Sequence, residues 1–279
     1  MPLARTYHPQ SWQGSLRLTF TRQGSQTRLT EAFSQAPLKV QRPFASQDGR
    51  CKTMLLHTAG GLVGGDRLDY QITLNPGSQV QLTTASAGKI YHSQGSPTVQ
   101  QVNLQLKAGS YLEWIPRETI LFDRANHHQS LRVELEPGAL WVGCDLIRWG
   151  RTARGEHFSS GSWRSQTEVW RQGQPLWIDR QQLAGGSLAL SSSNGLAGYA
   201  VMGTWILIGQ TLDSDHLGQL RELGHTVLDP AREQWGLTQL SCGILGRYRG
   251  PSTQRAWAWM MTLGSQVREY QGRDHQARD

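Results

Sequence analysis

Lysine is scarce in this chain: Lys39, Lys52, Lys89 and Lys107 are the only four among 28 basic residues, which leaves 24 arginines. Charged side chains together make up 18% of the sequence, against roughly 25% in an ordinary globular chain. The polar surface must therefore be built largely from Gln, Ser, Thr and Gly. A nucleic-acid binder favours clustered Lys and Arg interleaved with exposed aromatics, whereas these arginines are dispersed. Even the closest set, Arg148, Arg151 and Arg154, forms no run. Arginine is favoured at protein interfaces, so the net charge of +7 points to a protein partner.

Cysteine is equally sparse. Cys51, Cys144 and Cys242 lie far apart with no C-x-x-C pair, which excludes a disulfide framework and a sulfur-ligated zinc site and leaves them as buried small hydrophobes. No apolar run approaches the ~20 residues of a membrane helix; the longest, from Val201 to Ile208, is strand-sized. Met1-Pro2-Leu3-Ala4-Arg5 opens no apolar segment of the kind an export signal needs, and the expected location is cytoplasmic. There is no G-x-S-x-G elbow, and His127-His128 has no metal-spaced companion. Disorder is excluded by 11 Trp and many branched aliphatics.

What the sequence does hold is a repeat. Leu74-Asn75-Pro76-Gly77-Ser78, Leu106-Lys107-Ala108-Gly109-Ser110 and Leu135-Glu136-Pro137-Gly138-Ala139 punctuate three similar stretches. Each turn follows a run alternating with period two: Leu68, Tyr70, Ile72, Leu74; then Val102, Leu104, Leu106; then Leu131, Val133, Leu135. Alternation into a Pro-Gly or Ala-Gly turn is a strand–turn–strand unit. Units at a near-constant period stack so that each buries the face its neighbour leaves open; a two-sheet sandwich is the alternative. Thr167–Arg171 and Pro175–Arg180 continue the strand pattern around a Gly173-Gln174 turn.

Two late segments read as helices. Asp213 is placed to cap one that carries Leu217, Leu220 and Leu223, with Gly224 as its stop. Ser252 is placed to cap another with Trp257, Met260, Gly264 and Val267 on one face, followed by a polar, frayed tail from Gly272. With no Pro- or Ser-rich linker, residues 1–279 are expected to form one all-β domain, a layered, solenoid-like stack of strands with two late helices.

The most unusual stretch is His57-Thr58-Ala59-Gly60-Gly61-Leu62-Val63-Gly64-Gly65-Asp66. Its glycines allow backbone conformations closed to other residues, or close approach of another chain. Gly60 and Gly65 have phosphate-loop spacing, but Asp66-Arg67 stands where Lys-Ser/Thr would hold phosphate and magnesium. A carboxylate there repels phosphate, so an NTPase is excluded. A second small-residue stretch, Thr83-Thr84-Ala85-Ser86-Ala87-Gly88-Lys89, leads into Ile90-Tyr91-His92-Ser93. Lys89 could serve as a Schiff-base lysine, but no neighbouring residue in the sequence marks it for that role, and a surface or interface role fits better.

Taken in order, the segment Pro37–Arg42, the block Leu55–Asp66, Thr83-Thr84, Lys89–Ser93, Leu112–Pro116 and Leu121–Gln129 resemble the urease accessory protein UreD (UreH) family. The likeness continues through Gly150-Arg151-Thr152-Ala153-Arg154-Gly155-Glu156-His157-Phe158 to Gly246-Arg247-Tyr248-Arg249-Gly250, nearly the whole chain. Two departures stand out: His92 where many relatives carry Arg, and an ending Arg273–Asp279 in place of a Pro-Arg-Ile-Trp type segment.

The resemblance implies a non-enzymatic maturation factor that binds apo-urease and links it to UreF and the GTPase UreG, so that Ni²⁺ reaches the urease active site. It implies no tightly bound cofactor, only Ni²⁺ in transit through a water-filled internal passage. Isolated carboxylates would hold such a cation weakly enough to release it. Asp66, Asp145 and Asp179, each flanked by strand-like apolar sequence, are the passage candidates, with His57 and Cys144 behind them. Each Asp could equally be a turn cap or an arginine's partner, Arg148 for Asp145 and Arg180 for Asp179. The face bearing Trp257, Met260 and Val267 is the expected UreF contact. Two other classes stay open: a β-solenoid polysaccharide-active enzyme with paired carboxylates, and a basic β-sheet RNA binder.

Overall fold

The computed structural model describes the backbone from residue 11 to 276 and side chains as far as residue 270. The opening five residues and the last three therefore lie outside what it describes.

The chain begins with a hairpin of β1 (Gln13–Gln23) and β2 (Gln26–Gln35), followed by β3 (Leu38–Val40), β4 (Phe44–Ala45) and β5 (Cys51–His57). The repeats come next. In each, a long strand turns into a second strand of the opposite sheet: β6 (Arg67–Leu74) into β7 (Gln79–Thr84), β9 (Thr98–Leu106) into β10 (Tyr111–Ile115), and β12 (Asn126–Leu135) into β13 (Leu140–Trp149). Short strands β8 (Gly88–Ile90) and β11 (Thr119–Leu121) lie in the returns. The remainder is β14 (Ser162–Arg171), β15 (Gln174–Ala184), β16 (Val201–Ile208), α1 (Ser214–Val227), β17 (Gln234–Leu240), β18 (Gly243–Gly250) and α2 (Thr253–Gln276).

Successive repeats pair in parallel and in register, which decides for the solenoid over the sandwich. Tyr70, Val102 and Leu131 form one rung, Ile72, Leu104 and Val133 the next, and Leu74, Leu106 and Leu135 a third. In the opposite sheet Val80, Leu112 and Trp141 line up likewise. Like side chains stack because a fixed period returns the same inward phase to the same height. The corners stack too: Gly77 N–H donates to the Ala108 carbonyl (3.0 Å) and Gly109 N–H to that of Pro137 (3.2 Å). Gly77, Gly109 and Gly138 all have φ between +64° and +74°, the left-handed region that only glycine enters freely.

Two sheets result, in the orders β15-β14-β12-β9-β6-β1-β2 and β17-β18-β16-β13-β10-β7-β5-β3. They bury one apolar core between them. The helices cover the other face of the second sheet and form a separate core with Tyr111, Val142, Trp205 and Tyr248. The three cysteines are free; Cys51 and Cys144 are buried as expected, whereas Cys242 is only half-buried, and among the described residues no helix is long and apolar enough to cross a membrane.

Three local readings need correction. The β14–β15 turn is Gln172-Gly173, one residue earlier than expected. Both residues have positive φ (49° and 77°), the tight hairpin geometry that matches strand twist. Asp213 does cap α1, accepting the His216 N–H at 2.9 Å, but Gly224 does not stop it. The helix runs on to Val227, and Gly224 is needed because a Cβ there would lie 2.0 Å from Trp235 Nε1. The polar tail from Gly272 is not frayed at its start: α2 continues to Gln276.

Candidate functional site

Between the sheets lies a cavity of about 310 Å³. The crossing from β5 to β6 and the return after β7 form its rim, and both unusual sequence stretches meet there: His57–Leu62 on one side, Ser86–Ile90 on the other. They are tied together. Leu62 N–H donates to the Lys89 carbonyl (2.8 Å), Tyr91 N–H to that of Leu62 (2.9 Å), and the Tyr91 hydroxyl to that of Gly60 (3.1 Å). Gly61 is required by this approach, since a Cβ would sit 2.7 Å from the Lys89 carbonyl oxygen. The glycine block is thus both the crossing between sheets and the lip of the cavity.

Polar groups line its floor. Gln100, Gln129, Ser165, Thr167 and Asp145 all face inward, in phase with the apolar residues of their strands. A narrow neck of about 20 Å³ adjoins the cavity, sharing Leu131, Cys144, Asp145, Ser165 and Thr167 with it and adding Asp179, Gln181 and Thr204. Such a space holds about one water.

Asp145 stands where cavity and neck meet, its carboxylate accepting Gln129 Nε2 at 2.7 Å. Burial pushes its pKa up from the usual carboxylate value to about 6. The Gln129 hydrogen bond opposes that shift, the charge of nearby Asp179 reinforces it, and Arg247 counteracts it. Asp179 receives Gln181 and the Arg247 guanidinium, the latter at 2.8 Å. Neither takes the neighbour expected for it: Arg180 turns outward to Glu168, and Arg148 bonds Thr152 and the Pro251 carbonyl.

The raised Asp145 pKa makes a stability prediction. Between its ordinary value and about pH 6 the folded state binds more protons than the unfolded state, so stability falls as pH rises through that window. Asn imitates the protonated form. Asp145→Asn should match wild type near pH 4 and become progressively more stable than it towards pH 7, read as urea midpoints across the range. A constant difference at every pH would contradict the buried-acid assignment.

The other sequence candidates separate. Asp66 is not among the cavity-lining residues. Its side chain is wholly buried, and its two oxygens accept the Trp12 N–H (2.8 Å) and the Val63 N–H (2.9 Å). It is the cap of the glycine turn, the alternative its sequence left open. His57 does line the cavity: Nδ1 bonds the Ala59 carbonyl at 2.8 Å, while Nε2 is buried with no hydrogen-bond partner. Burial holds its pKa below the usual imidazole value, leaving a neutral ring suited to ligation. Cys144 is next to Asp145 on β13, so its side chain points the opposite way, into the helix-side core. Burial first, then the charges of Glu113 and Asp145, hold its thiol far above its normal pKa. Only its backbone edge is free to serve the cavity.

Met260 and Val267 are fully buried against the second sheet, so the face expected to dock a partner is the molecule's own core. Trp257, at the edge of that face, is half-buried with the Arg117 guanidinium 4.6 Å above its ring.

Sequence reading missed Gln100, Gln129, Ser165, Thr204 and Arg247. For Gln100, Gln129, Ser165 and Thr204 a signal was present, a polar residue at the inward phase of a strand that also carries apolar inward residues; Arg247 shares its phase with Arg249 and had no such signal. Among the described residues no three His, Cys, Asp or Glu side chains converge as a metal site; the donors are strung along the interior. A sugar chain between the two carboxylates would need an open groove, whereas a one-water neck separates them, which disfavours the polysaccharide reading.

The UreD urease accessory protein profile matches residues 13–278. The chain is 46% identical to a urease accessory protein UreD of Acaryochloris marina, over 92% of this chain and 90% of the relative. It is 45% identical to that of Trichormus variabilis, over 93% and 91% respectively. With the UreD of Synechocystis sp. the identity is 45%, over 90% of this chain and 93% of the relative.

Proposed function

This chain belongs to the UreD family of urease accessory proteins, and from that premise we propose that its interior is a transit path for Ni²⁺ during urease maturation. In this reading the protein holds apo-urease on one side and UreF with the GTPase UreG on the other, and the ion crosses between them through the space between the sheets. It acts as a scaffold and conduit with no chemistry of its own.

The observation that carries the reading is the position of Asp145, a carboxylate at the junction of a wide polar cavity and a neck with room for about one water. A divalent cation entering that neck must leave much of its hydration shell behind, and since the desolvation of even a monovalent side-chain ion is costly, charge must replace the lost water. Asp145 and Asp179 supply that charge. Imidazole suits nickel, and the unpartnered Nε2 of His57 waits nearer the mouth. Donors spread along a path, each too few to complete a coordination sphere, favour passage over storage.

Asp145→Asn and Asp179→Asn should each lower urease activation several-fold at limiting nickel, and the double substitution more, while complexes with urease and UreF still co-purify. Excess nickel should restore part of the loss by mass action. Full activation by the double variant at limiting nickel would sink the proposal.

A further inference from the structure

Two residues that line the neck, Asp179 and Thr204, already hold a cation between them. Arg247, on β18, reaches across from the second sheet to the first. Its Nη2 donates to Asp179 at 2.8 Å and its Nη1 to the Thr204 hydroxyl at 2.6 Å. Thr204 is 7% exposed and Asp179 half-buried, yet the Arg247 side chain keeps 39% of its surface open. The guanidinium, partly open to solvent, thus bridges two residues of the neck's lining, with one end on a carboxylate that would otherwise be free to meet an incoming ion. We propose that Arg247 is a displaceable plug: it occupies the cation position at Asp179 and has to swing away before a divalent ion can bind there or leave.

The charges require this exchange. With both carboxylates ionised, Asp145, Asp179 and Arg247 sum to −1. A divalent ion added with the guanidinium in place gives +1 in a space with little water to screen it, and the two cations compete for the same Asp179 oxygens. With Arg247 withdrawn the sum is zero. Arginine suits such a role because its charge is permanent and its planar fork can bond an acid and a hydroxyl at once. The partial exposure of the side chain gives it solvent to move into. One consequence is that the resting protein holds the ion weakly at Asp179, since part of the binding free energy is spent in breaking the Arg247 contacts. Another is that an acidic surface of a bound partner could draw Arg247 outward, which would link opening of the neck to docking.

This inference rests on the transit reading, and its test is separate from that reading's. Equilibrium dialysis of the full chain against Ni²⁺ alone near pH 7.5 measures affinity without any urease present. Arg247→Gln should tighten binding about tenfold, Arg247→Lys, which keeps the charge but loses the fork, should tighten it by a smaller factor, and Arg247→Gln combined with Asp179→Asn should lose the gain. Thr204→Val removes one of the two anchors and should tighten binding by a smaller factor, which keeps the test available if Arg247→Gln folds poorly. Unchanged affinity in both Arg247→Gln and Thr204→Val would overturn the plug, as would a gain that persists without the Asp179 carboxylate. If Asp145→Asn lowers activation while these affinities stay fixed, the passage stands and the plug falls. If the double variant Asp145→Asn, Asp179→Asn leaves activation intact at limiting nickel, the passage itself has failed.

Discussion

Glu113→Ala should lower the stability of this protein by about 3–5 kcal/mol, the range for stripping one partner from a buried charge cluster. Glu113 is 1% exposed and lies on β10 facing the helices, where four groups converge on its carboxylate. Arg268 of α2 donates at 2.6 Å, the Tyr111 hydroxyl at 2.7 Å, Arg50 at 3.3 Å, and Gln81 completes the set. Truncation leaves the charges of Arg50 and Arg268 in a cavity without an acid between them. Arg50 keeps Asp48, so the heavier loss falls on Arg268, which ties the far half of α2 to the sheet. Glu113→Gln keeps the volume and part of the bonding and should cost less. Arg268→Ala should also cost less, because Arg50 still neutralises the acid. Urea denaturation checks this ordering through the midpoint at constant m-value. Equal midpoints for Glu113→Ala and wild type would mean that packing alone holds the helix.

Met260→Ala is expected to cost about 2–5 kcal/mol, as large-to-small core truncations do. The Met260 side chain is wholly buried and reaches so close to β16 that a Cβ on Gly203 would lie 2.4 Å from its Cε. Glycine at 203 and methionine at 260 are a matched pair across the helix–sheet interface. Loss of partner binding in a Met260 variant would therefore report damage to the fold before it reported a contact. Trp257 is the cleaner probe of the same helix. It gives up a half-exposed stacking with Arg117, worth about 0.5–1 kcal/mol, so Trp257→Ala should fold normally. Retained co-purification with UreF by Trp257→Ala would move the partner contact off α2, and a Met260→Ala midpoint equal to wild type would refute the core assignment.

The expected partner face and the observed core are the same residues because an amphipathic stripe looks alike whichever surface it meets. Trp257, Met260, Gly264 and Val267 define a face by their spacing, but spacing does not name what lies opposite. The second sheet has one face turned to the first sheet, and α2 together with α1 covers the other. Gly224 was misread for a related reason. A glycine late in a helix is a stop by local preference, and only the indole of Trp235, brought up from β17, shows why it is needed within one.

The repeat, by contrast, was written plainly in the chain. Period-two alternation before Gly77, Gly109 and Gly138 states which residues point inward, where the chain turns and how far each unit extends. Those are local properties of strands and of positive-φ turns, and stacking follows from them. The glycine block also announced a constrained crossing, and Asp66 had a turn cap's place in it from the start. What sequence could not decide was which acids share a space. Asp145 and Asp179 come from β13 and β15 in opposite sheets, and Arg247 from a strand 68 residues beyond Asp179. Their meeting depends on the order in which strands pair and on the distance between two packed layers, and both emerge only when the whole stack is closed. The amino-acid sequence by itself determined the coil, because a coil is repeated local geometry. Only the tertiary structure decided the cavity, because a cavity is the space left where inward positions from distant strands are polar and do not fill it.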